Sequence, residues 1–139
     1  MNKVLTGLAP FVARLLLVAE FAIAANGKIQ GWTGQAAYMA AHGMRFIGPL
    51  LAAALAIEVV GSLCLVTGIR SREAAAAMFV YLAIVSLCLH DFWRMSGMAA
   101  ATNQTQFFKN LGMMGGLLMV AAYGPGRWVI PHGGRAGRS

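Results

Sequence analysis

The sequence predicts an all-α membrane fold: a four-transmembrane-helix bundle with a short interfacial helix between helices 1 and 2. Three observations carry this. The 139 residues are 59% hydrophobic and only 11% charged, where a soluble domain has about 25% charged residues, so the chain cannot coat a globule with solvated side chains. Four long apolar runs follow one another. The Lys and Arg residues fall at the ends of those runs, where loops and lipid headgroups favour them. A single domain suits this length. Residues 1–126 hold the bundle, and residues 127–139 read as a flexible, basic, Gly-rich tail.

The first run, Leu8 to Ala25, is interrupted by Arg14 and Glu20. Those two charges argue against a cleaved signal peptide, whose apolar core is uninterrupted. The second, Ile47 to Val66, holds one charge, Glu58, and reaches the roughly 20 residues a span needs. The third, Ala74 to Leu89, is uncharged and gains its length by including His90 to Trp93. The fourth, Leu111 to Tyr123, is short unless it starts near Phe107, and Gly124-Pro125-Gly126 ends it. Between the first two runs, Thr33 is a candidate N-cap and Gly43 a C′ glycine for a helix over Gln35 to His42, with Trp32 and Tyr38 at headgroup depth. Residues 94–106 are small and polar and read as a loop.

With four spans both termini share a side with the 67–73 turn. That side carries Lys3, Arg70, Arg72, Arg127, Arg135 and Arg138, against Lys28, Arg45, Arg94 and Lys109 on the other, so the termini are expected to be cytoplasmic. The net charge of +7 does not point to nucleic acid, because no basic stripe or basic helix face exists. The expected partner is the lipid bilayer.

Ionisable groups within apolar runs usually face a bundle interior. Arg14 lies twelve residues before the expected exit of helix 1 at Asn26, and Glu58 lies eleven residues into helix 2. At 1.5 Å per residue the two share a depth, which predicts a structural Arg14–Glu58 ion pair. Lys28 and Lys109 are placed to snorkel to the interface. Cys64 and Cys88 sit in separate apolar runs, with no C-x-x-C, and read as structural. No metal site is expected, since no His, Asp or Glu pair recurs at i, i+3 or i, i+4. Gly112 and Gly116 form a G-x-x-x-G helix-packing face in the fourth run.

Several segments together resemble the DoxX family of four-helix bacterial inner-membrane proteins. They are Gly27-Lys28 after an Arg-bearing first helix, and Glu58 followed by Gly61 to Arg72. His90-Asp91-Phe92-Trp93 follows, then Phe108-Lys109-Asn110-Leu111 and Gly124-Pro125-Gly126-Arg127. They occur in family order from about residue 14 to 128. The resemblance implies a redox-associated inner-membrane subunit that binds a quinone or other small molecule in the bundle. Glu58, Arg14, His90, Lys109 and Asn110 form its candidate ligand-binding set together with Glu20, which the family pattern does not cover and which enters only as a charge inside an apolar run. The sequence holds no haem-ligand pair, iron–sulfur motif or dinucleotide loop. A quinone is therefore the one cofactor the reading admits, and no catalytic residue is assigned. Two further readings stand beside it. One is a non-catalytic accessory or assembly subunit, partnered by other membrane or redox subunits or by its own copies. The other is a small proton-coupled exporter built on a membrane-embedded Glu.

Overall fold

The computed structural model describes residues 3–130, all of whose regular structure is helical. Helix α1 covers Lys3–Gln30 and α2 covers Trp32–Ala41. Helices α3 and α4 cover Ile47–Thr67 and Ser71–Leu89. A 3₁₀ turn over Phe92–Arg94 precedes α5, Gly97–Tyr123. The four long helices close a ring: α1 packs on α3, α3 on α4, α4 on α5, and α5 returns to α1 across the thinnest seam. α2 lies against α3 and α1 at the end where α1 finishes.

Three helical stretches are long and apolar enough to cross a membrane, Gly7–Gln30, Ile47–Thr67 and Ser71–Arg94. α5 has the length, at 27 residues, but opens with the polar stretch Thr102 to Gln106. Residues 97–106 were expected as loop and are helical instead. The sequence at Met98 to Ala101 favours helix, and Asn103 and Thr105 return their side chains to the carbonyls of Ala99 and Ala101, at 3.0 Å each. Polar groups satisfied on the preceding turn do not end a helix. α1 likewise continues five residues past Ala25. Gly27 costs only about 1 kcal/mol in a helix, which the packing of α1 on α3 and the bond made by Lys28 offset. α2 starts before Thr33, so Thr33 is inside the helix and Gly31 is its N-cap, while Gly43 (φ +73°) is the left-handed glycine that follows the C-cap His42.

The core lies on the inner faces of the ring: Leu17, Phe21, Leu65, Met78, Leu82, Leu117 and Val120 with Ala75. Outward faces are also apolar, as at Leu16, Ile23, Val60, Leu63, Val80, Leu118 and Met119, the pattern of a bundle whose solvent is lipid. At Gly61 a Cβ would overlap the Met78 side chain, so that glycine sets the α3–α4 approach. Gly116 does the same for α5 on α1, its Cβ position lying 3.2 Å from Leu17. Gly112 has nothing within 4 Å of its Cβ position and so takes no part in that packing.

At the end opposite α2, two arginines hold two helix C-termini. Fully buried Arg14 donates to the carbonyls of Leu65, Val66 and Trp128. Arg72 donates to those of Ala121 at 2.9 Å and Ala122 at 2.7 Å. The last carbonyls of α3 and α5 lack helical partners and carry the negative end of the helix dipole, so a guanidinium suits both. The chain after α5 turns back over this end. Ile130 N–H donates to Thr67 O at 2.8 Å, Val129 fills the space a side chain on Gly68 would need, and Pro10 that of Gly126. Residues 127–130, read as the start of a loose tail, make specific contacts here: Trp128 O accepts from Arg14 and Ile130 N–H donates to Thr67 O. The rest of that tail lies outside the described residues.

Cys64 and Cys88 are both free. Cys64 is seventeen residues into α3 and Cys88 seventeen into antiparallel α4, so each lies about 25 Å from its helix start, at opposite ends of the bundle. That separation far exceeds the roughly 7 Å limit for a disulfide. Replacing both with Ala is expected to leave the folded population and thermal midpoint nearly unchanged in detergent. A loss of function in a well-folded variant would revive thiol chemistry.

Candidate functional site

The half of the bundle nearer α2 contains a cavity of about 790 Å³ between the helices. Its walls are mainly apolar, with Phe21, Leu51, Ile57, Leu82, Val85 and Met113 prominent among them. Five of the six candidate ligand-binding residues line it: Glu20, Glu58, His90, Lys109 and Asn110. Arg14 does not, because it serves the opposite end.

The expected Arg14–Glu58 pair is not formed. The depth estimate took helix 1 to leave the hydrocarbon at Asn26, but α1 runs to Gln30. Arg14 therefore lies about 24 Å below the α2 end, against about 16 Å for Glu58. Leu65, about 27 Å along α3 by the same measure, lies within reach of the Arg14 side chain, which leans toward the N-terminus of α1. Glu58, 2% exposed, instead receives Lys28 Nζ at 2.7 Å and the Tyr81 hydroxyl at 2.7 Å, both on Oε1. Lys28 was read as a residue that snorkels outward. A helical side chain leans toward the N-terminus of its helix, which for α1 is into the bundle, and Glu58 lies in that direction. The Glu58 Oε2 atom is buried and has no hydrogen-bond partner among the described residues.

A second ion pair closes the α1–α5 seam. Lys109 Nζ lies 3.2 Å from Glu20 Oε2, with both side chains about two-fifths exposed. Asn110, buried on α5, donates to Ser86 Oγ at 3.1 Å, and Ser86 in turn donates to Leu82 O at 2.7 Å. His90 Nδ1 is 2.9 Å from Asn103 Oδ1. The cavity's charges therefore cancel, Glu20 with Lys109 and Glu58 with Lys28.

α2 lies over the cavity at the end where α1 finishes. Tyr38 and Met39 line the cavity. The Tyr38 hydroxyl donates to Leu89 O at 2.7 Å and lies 3.0 Å from Asn103 Oδ1, tying α2 to α4 and α5. Burial pushes this phenol above its ordinary value, and the charge of Asp91 adds to the rise while the Asn103 bond opposes it, so the hydroxyl stays a donor. Asp91 stands 3.5 Å from His42 Nε2 and 3.7 Å from Arg94. Sequence reasoning missed Tyr38, Tyr81 and Lys28 as parts of this site. The signal for Tyr81 was a phenol in an otherwise uncharged apolar run, since a buried tyrosine hydroxyl usually has a partner.

A closed helical ring with three helices long and apolar enough to cross a membrane, around an internal, charge-balanced chamber, defines a helical membrane protein with room for a small molecule. This chain belongs to the DoxX family, whose model matches residues 9–91. It is similar to two inner membrane proteins of Escherichia coli (strain K12). The chain is 33% identical to YphA over 83% of its own length and 82% of that protein. It is 32% identical to YqjF over 92% of its length and 93% of that protein. No solved structure gives a significant match. The chain is accordingly an inner-membrane protein of that family.

Proposed function

We propose that this protein crosses the inner membrane four times and binds a quinone or similar neutral small molecule in the α2-end cavity, as a redox-associated membrane subunit. The observation that carries the reading is the cavity itself: about 790 Å³, mainly apolar, with four charges that cancel in pairs. A neutral, largely apolar ligand matches such walls, whereas an ion would meet no net charge. α5 is the fourth span, its polar first turns lying beside α2 at the membrane surface, and both termini are cytoplasmic. The chain's own residues supply binding and orientation, and electron transfer belongs to the quinone and a partner subunit.

The test is organic extraction of protein purified in mild detergent, followed by mass spectrometry. A near-stoichiometric quinone is expected, and the Ala54→Trp variant, which fills the cavity wall, should retain several-fold less. Equal, trace amounts in both would overturn the reading. Topology is checked in the Cys64→Ala/Cys88→Ala background. Arg127→Cys should be shielded from an impermeant thiol reagent in intact cells, while Ser96→Cys should label; the reverse would invert the orientation.

A second reading, a non-catalytic accessory subunit, is favoured by Gly112 and Gly115, whose Cβ positions face open space on α5. A stoichiometric protein partner that copurifies in the absence of any quinone would select it.

A further inference from the structure

We propose that the end of the bundle opposite α2 carries a binding site for one anionic phospholipid, with an acyl chain in a groove beside the start of α1 and the phosphate at Arg127. The site is separate from the α2-end cavity and does not depend on what that cavity binds.

The segment that folds back after α5 leaves a groove of about 840 Å³ against α1 and the end of α3. Leu8, Phe11, Val66 and Val129 make its lining apolar, and among the described residues Arg127 and Trp128 bear the only polar side-chain atoms on its walls. The apolar span of α1 begins at Gly7 and that of α3 ends at Thr67, so the groove lies where hydrocarbon gives way to headgroups. Trp128 is half-exposed there, and an indole suits that boundary. Arg127 is exposed, and its long side chain reaches headgroup level while its stem covers apolar surface. Charge at the two ends of the bundle differs. At the α2 end Lys28, Arg45, Arg94 and Lys109 face Glu20, Glu58 and Asp91, a near balance. At this end Arg14, Arg70, Arg72 and Arg127 face Glu73 alone among the described residues. Arg14 and Arg72 donate to helix-end carbonyls, which carry only partial charge. Arg70 and Arg127 are exposed and make no hydrogen bond or ion pair among the described residues. The groove therefore opens under a positive potential that an anion would relieve. A free anion would leave the apolar walls uncovered, and a neutral lipid would leave Arg127 unpaired. An anionic phospholipid meets both.

The experiment is native mass spectrometry of the full chain, titrated in detergent with dioleoyl phosphatidylglycerol and with dioleoyl phosphatidylcholine. The first phosphatidylglycerol should bind at least about fivefold more tightly, since one Arg beside an anionic headgroup contributes about 1 kcal/mol. Arg127→Gln should remove that preference and leave the phosphatidylcholine affinity unchanged. Gly7 lines the groove with nothing within 4 Å of its Cβ position, so Gly7→Phe should occupy it and weaken the first site severalfold for both lipids. Glycerol 3-phosphate, the same phosphate without acyl chains, should not bind. Equal affinities for the two lipids on the unmodified protein would overturn the proposal. A phosphatidylglycerol preference that survives both substitutions would overturn it too, by assigning the effect to a diffuse basic surface, as would glycerol 3-phosphate binding as tightly as the lipid. Retention of neither lipid would mean that protein fills the groove, from this chain or from a second copy as the measured mass decides, and would also overturn it. Arg127 holds no bond of the fold, so Arg127→Gln keeps the test decisive even where Gly7→Phe folds poorly.

Discussion

Lys28→Met is expected to destabilise the protein by about 3–5 kcal/mol, because it leaves the Glu58 carboxylate buried without its cation. The pair joins α1 to α3 at 2.7 Å, with side-chain exposures of 13% and 3%. Tyr81 alone cannot replace the ammonium, since it supplies one neutral donor to Oε1. Adding Glu58→Leu to Lys28→Met should recover a large part of the loss, as removing both members of a buried pair is far milder than removing one. Reversible unfolding of the two single variants and the double variant in mixed micelles gives the coupling directly. Additive losses would mean that the two side chains do not interact.

Arg14→Ala should cost about 2–4 kcal/mol through the loss of charge-assisted bonds to Leu65, Val66 and Trp128. Its particular mark is local. The segment after α5 loses its anchor, so the Ile130 amide, bonded to Thr67, should exchange much faster, and Trp128 emission should shift to the red. Arg14→Lys should rescue only part, because one ammonium cannot span carbonyls that a planar fork reaches together. Glu58 lies seven residues from Leu65, about 10 Å along α3. Arg14→Ala and Glu58→Ala should therefore add within about 0.5 kcal/mol. A strong rescue by Glu58→Ala would restore the ion pair expected from helix depth alone.

The contrast between these two arginine and glutamate sites shows where sequence reasoning stopped. Charges at positions 14, 20 and 58 within apolar runs mark an interior, because a lone charge facing lipid is too costly. Which charge meets which depends on where α1 ends. A four-residue extension moved Arg14 by about 6 Å, past Glu58 to the end of α3. The docking of Trp128 and Val129 beneath Arg14 and beside Gly68 was likewise invisible, since it joins residues about 115 and 60 positions apart with no shared motif.

The sequence by itself determined that this is a helical membrane protein of the DoxX family, because composition, apolar run length and ordered motifs are properties of the chain before it folds. It also marked Glu20, Glu58, His90 and Lys109 as ionisable groups in or at the ends of apolar runs, and Asn110 through the Phe108 to Leu111 segment. Only the tertiary structure decided that these five surround one cavity while Arg14 stands apart, and that Lys28 and Tyr81 share one oxygen of Glu58. Helix rotation and end points set those pairings. Both respond to packing, to Gly61 against Met78 and Gly116 against Leu17, and such contacts between helices leave no periodic trace in the sequence of either one.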